Sequence, residues 1–431
     1  MRRRARKGGG RQLELRIKAI GAQGDGIALY QGRPVFVPFT LPGDHLRVRL
    51  EAERHGGFRA TPLELLAEGE GRREPPCPHF GTCGGCQLQH LAPEHYRAWK
   101  ERLIPDALER QGIEGVPLRA PIFIPPGSRR RAALTFRRRG GRLELGFHER
   151  HSRAVVDLET CLLLTPELLA LLEPLRQLLE GALPGEPLGD VLLLHAENGF
   201  DLLLITPGSP DLVAREEFVK FASEQKIARL SWAPDQKVEP ERLFEREAPV
   251  LTFGKVAVNP PPGGFLQPSR EGEKALVKAV LEALPERPKR IADLYAGCGS
   301  FTFPLAERAS VTAVEGDAAA LASLWAAARR SGLAGPIMVE QRDLVRQPLR
   351  ADELAAFDVV VFDPPRQGAR EQAREIATSE VLRVVAVSCH PASFARDARL
   401  LIEGGYRLDW IQPVDQFPWA AHLELVACFS R

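Results

Sequence analysis

The sequence predicts a multidomain protein: an N-terminal OB-like β-barrel, a central α+β domain, and a C-terminal α/β domain with a doubly wound, Rossmann-like sheet. Three observations predict it. Residues 12–65 hold short alternating runs between glycine turns and no helical stretch. Residues 162–255 mix Leu-rich helices with strands such as VLLLHAE and DLLLITP. After the Pro/Gly break VNPPPGGFLQP at 258–268, strand and helix patterns alternate to the C-terminus.

Taken in order, residues 1–11 form a basic tail. MRRRARKGGGR has charge but no apolar segment behind it, so it does not read as a secretory signal. No apolar run approaches the roughly 20 residues of a membrane helix, and a cytoplasmic protein without a membrane partner is expected. Residues 12–68 alternate clearly at Leu13–Ile17 and Leu46–Leu50, and five or so short strands suggest the small barrel. The break GEGRREPPCP opens the central domain, 69–257. Within it, residues 94–112 predict a helix that Pro105 should kink or break and that is expected to pack on the catalytic domain. The run RRRAALTFRRRGGRLELGFHERHSRAVVDL predicts a hairpin turning at Gly140-Gly141. The last domain covers 258–431.

Charge is divided along the chain. Residues 1–160 carry 29 Lys and Arg against 18 Asp and Glu, a net of +11, and the remainder carries 29 against 38, a net of −9. The basic half suits a polyanion such as nucleic acid. Its densest stretch, 128–153, holds nine arginines and two glutamates. Arg129, Arg130, Arg131, Arg137, Arg138 and Arg139 are the candidate phosphate contacts.

The seven cysteines are an odd number without an export signal, which disfavours a disulfide framework. Cys77-x5-Cys83-x2-Cys86 is a compact group, with Cys161 as a fourth candidate. Four thiolates can hold zinc or an iron–sulfur cluster. Zinc ribbons usually offer two Cys-x-x-Cys knuckles, and this chain has one.

In the C-terminal domain, RIADLYAGCGSFTFPLAERA is a strand, a Gly-x-Gly turn at Gly297 and Gly299, and a helix. The next strand ends in Glu315, 18 residues after Gly297, where a carboxylate can accept ribose hydroxyls. Phe303 occupies the third glycine position of a dinucleotide fingerprint, so a pyrophosphate site is disfavoured. S-adenosylmethionine, with ribose and adenine but no phosphate, fits better. Further strands end at Asp343, at Asp363-Pro364-Pro365-Arg366 and at Cys389. Strand ends line the crevice of an open parallel sheet, so these residues should face one pocket. Each of them could instead cap a helix, but five in order favour a site. An aromatic residue follows Asp-Pro-Pro in many amine methylators. Here Arg366 stands there, which argues against amine chemistry.

Together DLYAGCGSF, FDPPRQGAR, VSCHPASFARD, the terminal HLELV and FLQ resemble the RNA (uracil-5-)methyltransferase family. Residues IKAIGAQGDGIALYQGRPVFVPFTLPGDHLRVRL resemble its TRAM domain, an RNA-binding barrel. The chain departs from the family pattern at His390, usually Asn, at Ser269, usually Asn, and at Ala296 and Cys298 in the glycine turn. The resemblance implies that Gln267, Tyr295, Ser300, Glu315, Asp343 and Asp363 contact S-adenosylmethionine or frame its pocket. It implies a [4Fe-4S] cluster on Cys77, Cys83, Cys86 and Cys161. It further implies Cys389 as nucleophile and Glu424 as base, because the 5-carbon of uracil becomes nucleophilic only once a thiolate adds to the 6-carbon. Glu424 interrupts an apolar strand, an expensive place for a carboxylate without a task. The TRAM-like domain and the cysteines resemble the 23S ribosomal RNA branch, and a monomeric enzyme is expected. The alternatives are the same chemistry on transfer RNA, a DNA cytosine-5 methyltransferase, and an iron–sulfur RNA-binding protein without activity. The second of these uses Pro-Cys where this chain has Ser-Cys-His-Pro, and the presence of both Cys389 and Glu424 disfavours the third.

Overall fold

The computed structural model describes residues 11–54, 56–183, 185 and 187–431. The expected basic tail lies outside the described residues except for Arg11. The chain divides into two compact units: one runs to Leu103 and takes in Trp419–His422, and the other comprises Ile104–Pro418 and Leu423–Arg431.

The first unit is built on six strands: β1 (Gln12–Arg16), β2 (Ala19–Ile20), β3 (Gly26–Tyr30), β4 (Arg33–Val37), β5 (His45–Arg54) and β6 (Gly57–Ala67). They pair in the order β1-β5-β6-β4-β3-β2, with only β4 and β6 parallel. Alternation sends Leu15, Ile17, Val35, Val37, Leu46 and Val48 into one core. Gly26 is required here, since a Cβ would lie 2.0 Å from Thr40 Oγ1. Helix α1 (Pro93–Glu109) follows. It runs unbroken through Pro105, contrary to expectation. The carbonyl that loses its partner belongs to Glu101, an exposed residue.

Among the described residues the second unit holds two large sheets and a two-stranded one. Before the first comes β7 (Ile122–Phe123). The first sheet is formed by β8 (Arg131–Arg139), β9 (Arg142–His148), β10 (Val155–Asp157), β11 (Leu188–Ala196), β12 (Gly199–Ile205), β13 (Ile227–Ala233) and β14 (Glu241–Glu245). Its order is β10-β9-β8-β11-β12-β13-β14, with helices α2 (Pro166–Ala182) and α3 (Leu212–Glu224) between strands in sequence. The hairpin turn falls at Gly140-Gly141 as expected; both have positive φ (60° and 85°) and connect paired Arg139 and Arg142. A small hairpin, β15 (Leu251–Phe253) and β16 (Val256–Val258), and helix α4 (Arg270–Glu282) lead into the second sheet.

That sheet alternates β17 (Arg290–Leu294), α5 (Thr302–Ala306), β18 (Ser310–Glu315), α6 (Ala318–Arg330), β19 (Ile337–Gln341), α7 (Ala351–Leu354), β20 (Val359–Phe362), α8 (Arg370–Thr378), β21 (Arg383–Ser388), α9 (Pro391–Glu403), β22 (Arg407–Asp415) and β23 (Glu424–Ser430). Its order is β19-β18-β17-β20-β21-β23-β22-β7. β23 is antiparallel to both neighbours, while β17 to β21 are parallel. VVVF of β20 and the VVAV run of β21 are buried throughout, the pattern of strands covered on both faces. The strand order reverses between β17 and β20, which opens the crevice where ligands of such sheets bind. One boundary differs from the sequence reading. β7, inside the expected central domain, belongs to the C-terminal sheet, parallel to β22.

Candidate active site

β17 delivers the chain into the glycine turn. Tyr295 takes a left-handed φ of 62°, a conformation costing a non-glycine residue about 1 kcal/mol or more. Gly297 and Gly299 follow with φ of 56° and 97°. A Cβ on Gly299 would lie 2.6 Å from the Phe303 ring, whereas one on Gly297 would meet nothing within 4 Å. Phe303, in the place of a third glycine, is therefore core packing, and Gly297 faces open space. Glu315, at the end of β18, accepts the Gly297 N–H at 2.8 Å and the Asp317 N–H at 2.8 Å. Half-buried Ser300 lies on the same turn.

Behind the turn, Asp293 is fully buried. Its Oδ2 accepts from Thr302 Oγ1 at 2.5 Å, and its Oδ1 has no partner. Burial above all, opposed by the Thr302 hydrogen bond and aided by Asp363 and Glu315, pushes this carboxyl up to about 7. Asp343 is exposed and caps the turn after β19 through the Val345 N–H (3.1 Å) and Arg346 N–H (3.3 Å). Its neighbours Leu344 and Val345, with Tyr295, Gln367 and Gly368, line an open cleft of about 350 Å³.

The other half of the site comes from the ends of β20 to β23. Ser388 pairs with Leu425, so Cys389 and Glu424 step off the same end of adjoining antiparallel strands. Cys389 leads into α9, whose N-cap is His390; the imidazole Nδ1 accepts the Ser393 N–H at 3.3 Å. Histidine in place of asparagine thus still caps this helix. Burial first, then the negative charges of Glu424 and Asp363, hold the Cys389 thiol up at about 12, with Arg366 opposing. Glu424 is 4% exposed, and burial together with the Asp363 charge raises its carboxyl well above the usual range. Burial raises Asp363 likewise.

A chain of amides reaches Asp363. Gln416 Nε2 donates to Gln267 Oε1 at 2.7 Å, and Gln267 Nε2 donates to Asp363 Oδ2 at 3.4 Å. Ser269 donates to Gln416 Oε1 at 3.4 Å while accepting the Gly272 N–H at 3.1 Å as N-cap of α4. Arg130 grips the same segment: its backbone N–H donates to Pro268 O at 2.8 Å and its guanidinium to Gln267 O at 3.4 Å.

Of the expected site residues, Gln267, Asp363, Cys389 and Glu424 converge, Tyr295, Gly297, Ser300 and Glu315 shape the turn beside them, and Asp343 does helix-cap-like work at the rim. Sequence reasoning missed Gln416 and Asp293. The Asp415-Gln416 pair closing an apolar strand was a usable signal, and a lone Asp inside an apolar strand was a weaker one. It also missed Phe265, 68% exposed next to Gln267 with the Arg131 guanidinium 5.7 Å from its ring centre.

The arginines do not act alike. Arg130 is a correction: it is buried and paired with Glu273, hence unavailable to phosphate. Arg138 turns back onto the carbonyls of Glu180 (2.6 Å) and Leu183 (3.3 Å), at the end of α2. Arg129 donates to Arg131 O at 2.9 Å. Arg137 and Arg139 are exposed. Cys77, Cys83 and Cys86 are half-buried in the first unit, and Cys161 is buried in the second. Among the described residues no group of three or more His, Cys, Asp or Glu is assembled to hold a metal ion. Nor, among the described residues, is any helix long and apolar enough to cross a membrane.

Comparison with known proteins gives four results. The TRAM domain model matches residues 6–57. An RNA methyltransferase of Caulobacter vibrioides, itself uncharacterized, is 44% identical over 97% of this chain and 100% of its own. A 23S rRNA (uracil(1939)-C(5))-methyltransferase of Aeromonas hydrophila is 32% identical over 97% of this chain and 96% of its own. The crystal structure of Pyrococcus abyssi tRNA (uracil-54, C5)-methyltransferase with S-adenosyl-L-homocysteine shares the fold, with a TM-score of 0.76 at 22% identity over 96% of this chain and 99% of that one. A TRAM domain at the N-terminus, a methyltransferase sheet at the C-terminus and relatives spanning nearly the whole length agree: this chain belongs to the RNA (uracil-5-)methyltransferase family.

Proposed function

We propose that the protein methylates the 5-carbon of a uridine in structured RNA, 23S ribosomal RNA, with S-adenosylmethionine as methyl donor. The observation that carries this reading is the placement of Cys389 and Glu424 at one end of paired strands, beside Asp363 and Gln267. The Cys389 thiolate adds to the 6-carbon, and the electron pair of the 5,6 double bond passes into the enolate. The 5-carbon then takes the methyl group. Glu424 removes the proton from the 5-carbon, the double bond reforms and the Cys389 sulfur leaves. A carboxyl raised by burial is the stronger base for this step.

The thiol held at about 12 needs a counter-charge before it ionises readily. S-adenosylmethionine, when bound, supplies a methyl on a positive sulfonium, which opposes the carboxylates that keep the thiol protonated. The open side of Gly297, the Glu315 carboxylate and the unpartnered Asp293 Oδ1 fit a polar ligand without phosphate. The target base must leave its stack to reach Cys389, and exposed Arg137 and Arg139 are the proposed phosphate contacts. The family resemblance supports a [4Fe-4S] cluster on Cys77, Cys83, Cys86 and Cys161, and no step of the chemistry runs through it.

The test supplies 5-tritiated uridine RNA as 23S transcript or as tRNA. Tritium release from the 23S transcript alone is expected. Release from tRNA alone overturns the substrate, and release from neither overturns the chemistry.

A further inference from the structure

We infer that Asp397 is a positioning residue for the methyl donor: from α9 it holds the loop 367–369 in place as part of the cleft beside Tyr295. The inference rests on the reading that S-adenosylmethionine occupies this cleft, and adds a residue to it.

Asp397 lies in the second turn of α9 and is 3% exposed. Aspartate is a weak helix former, and a buried carboxylate is costly unless its oxygens are used. Both are used. Oδ2 accepts the Ala369 N–H at 2.8 Å. Oδ1 accepts from Arg396 Nε at 2.8 Å and Nη2 at 2.7 Å, and the same Nη2 donates to Gln367 O at 2.9 Å. One oxygen thus grips the loop directly and the other grips it through a guanidinium. Ser393, one turn earlier on α9, donates to Arg366 O at 2.9 Å. Ala369 is also the N-cap of α8, with no side chain that could cap it. Asp397 supplies a carboxylate to that helix end from the neighbouring helix.

The loop is shaped to close on this carboxylate. Gly368 N–H donates to Pro365 O at 2.8 Å, and Gly368 has a φ of 79°. A Cβ there would stand 2.4 Å from Asp397 Oδ2 and 2.5 Å from Arg396 Nη2. Only glycine offers both the backbone angle and the room. Gln367, Gly368 and Arg396 line the open cleft together with Tyr295, Leu344 and Val345. The grip therefore sets part of the surface that the methyl donor meets. Asp363 is held separately, from the sheet, by its N–H donating to Leu294 O at 3.2 Å. Losing the grip frees 367–369 without releasing Asp363. A loop in place only about a tenth of the time raises the apparent dissociation constant about tenfold.

Three variants of the full chain test this: Asp397→Ala, which removes both oxygens; Asp397→Asn, which keeps one oxygen for the Ala369 N–H and loses the hold on Arg396; and Gly368→Ala, which pushes the loop off an intact carboxylate. Calorimetry with S-adenosylhomocysteine reads the affinity, and urea midpoints read stability. Affinity should fall about tenfold for Asp397→Ala and Gly368→Ala, and only about threefold for Asp397→Asn, the partial rescue. In tritium-release assays, Asp397→Ala should raise KM for S-adenosylmethionine by the same factor, with kcat within about twofold of wild type. A folded Asp397→Ala protein that is weaker to urea yet binds with wild-type affinity overturns the inference and leaves Asp397 as a structural residue. A fall in kcat with KM unmoved overturns it as well. If one variant does not fold, the other two are read by the same criteria, and if none folds the inference is overturned. Wild-type protein that does not bind S-adenosylhomocysteine overturns the underlying cofactor reading instead, a distinguishable result.

Discussion

Arg130 and Glu273 form an ion pair closed off from solvent: Nη2 lies 2.8 Å from Oε2, and the side chains are 6% and 7% exposed. The pair fastens the strand that opens the central sheet to helix α4, directly behind the Gln267 segment. Burial raises the Glu273 carboxyl, and Arg130 pulls it back. Arg130→Met should therefore cost about 3–5 kcal/mol, since it leaves a buried charge without its partner. The double variant Arg130→Met/Glu273→Leu should recover most of that. Urea unfolding of the two variants measures it, and a single variant as stable as wild type would contradict the buried pair.

The two proposed reacting residues should fail differently. Cys389→Ala blocks the first step, so neither adduct nor 5-methyluridine should form. Glu424→Gln leaves addition and methyl transfer possible but blocks proton removal, so methylated RNA should remain joined to Cys389. Labelled RNA should migrate with the protein on a denaturing gel for Glu424→Gln alone. A Glu424→Gln enzyme that turns over normally would pass the role of base to another carboxyl, Asp363 first.

Arg137→Gln/Arg139→Gln should weaken RNA binding and flatten its dependence on salt by roughly one unit of slope for each phosphate that is no longer neutralised. S-adenosylmethionine affinity should not change. Arg138→Gln should behave otherwise, lowering stability through the end of α2 with little effect on the salt slope. Filter binding over a salt series separates the two, and an unchanged slope for the double variant argues against the hairpin as an RNA surface.

Asp293 makes the ligand-free protein sensitive to pH. Its carboxyl is held at about 7, above its ordinary 3.8, chiefly by burial. A group raised on folding stabilises fully below its unfolded value, and that contribution is lost as pH rises through the folded one. Stability should thus fall between about pH 4 and 7, by on the order of 4 kcal/mol for this group. Asp293→Asn should flatten that window. Urea midpoints at pH 5 and 8 decide it, and identical pH dependence in both proteins would remove Asp293 as the cause.

Protein purified without air should be brown and contain about four irons per chain if the cysteine spacing has its usual meaning. Cys83→Ser should lose the colour. Stoichiometric zinc without iron would refute the cluster.

Much of the catalytic sheet was legible because strands buried on both faces read as apolar runs, and polar residues at their ends stand out. Glu315, Asp363 and Cys389 were found that way. Gln416 and Asp293 were harder, since their meaning comes from partners such as Gln267 and Asp363, far away in sequence. Arg130 shows the same limit. Within Arg129-Arg130-Arg131 nothing local separates an arginine that turns inward from its neighbours, and the decision belongs to Glu273, 143 residues on. Pro105 failed as a helix breaker because one lost hydrogen bond on an exposed side of a long helix is tolerable.

The short strand β7 brings a consequence for dissecting the protein. Alongside β22 the chain from Pro117 to Ile124 is tied by backbone hydrogen bonds, among them Arg119 N–H to Ile411 O at 2.8 Å, Ile411 N–H to Pro117 O at 3.0 Å and Ile124 N–H to Asp415 O at 2.9 Å. Gln412 adds a side-chain bond to Ala120 O at 2.8 Å. A fragment cut at 258 would look like a whole methyltransferase domain yet carry a naked, largely apolar margin along β22, ready to recruit another copy. A fragment intended to stand alone has to bring residues 117–124 with it, by fusion or as an added peptide. In the intact chain, β22 waits for a strand synthesised nearly 300 residues earlier, so the sheet is closed by its oldest piece.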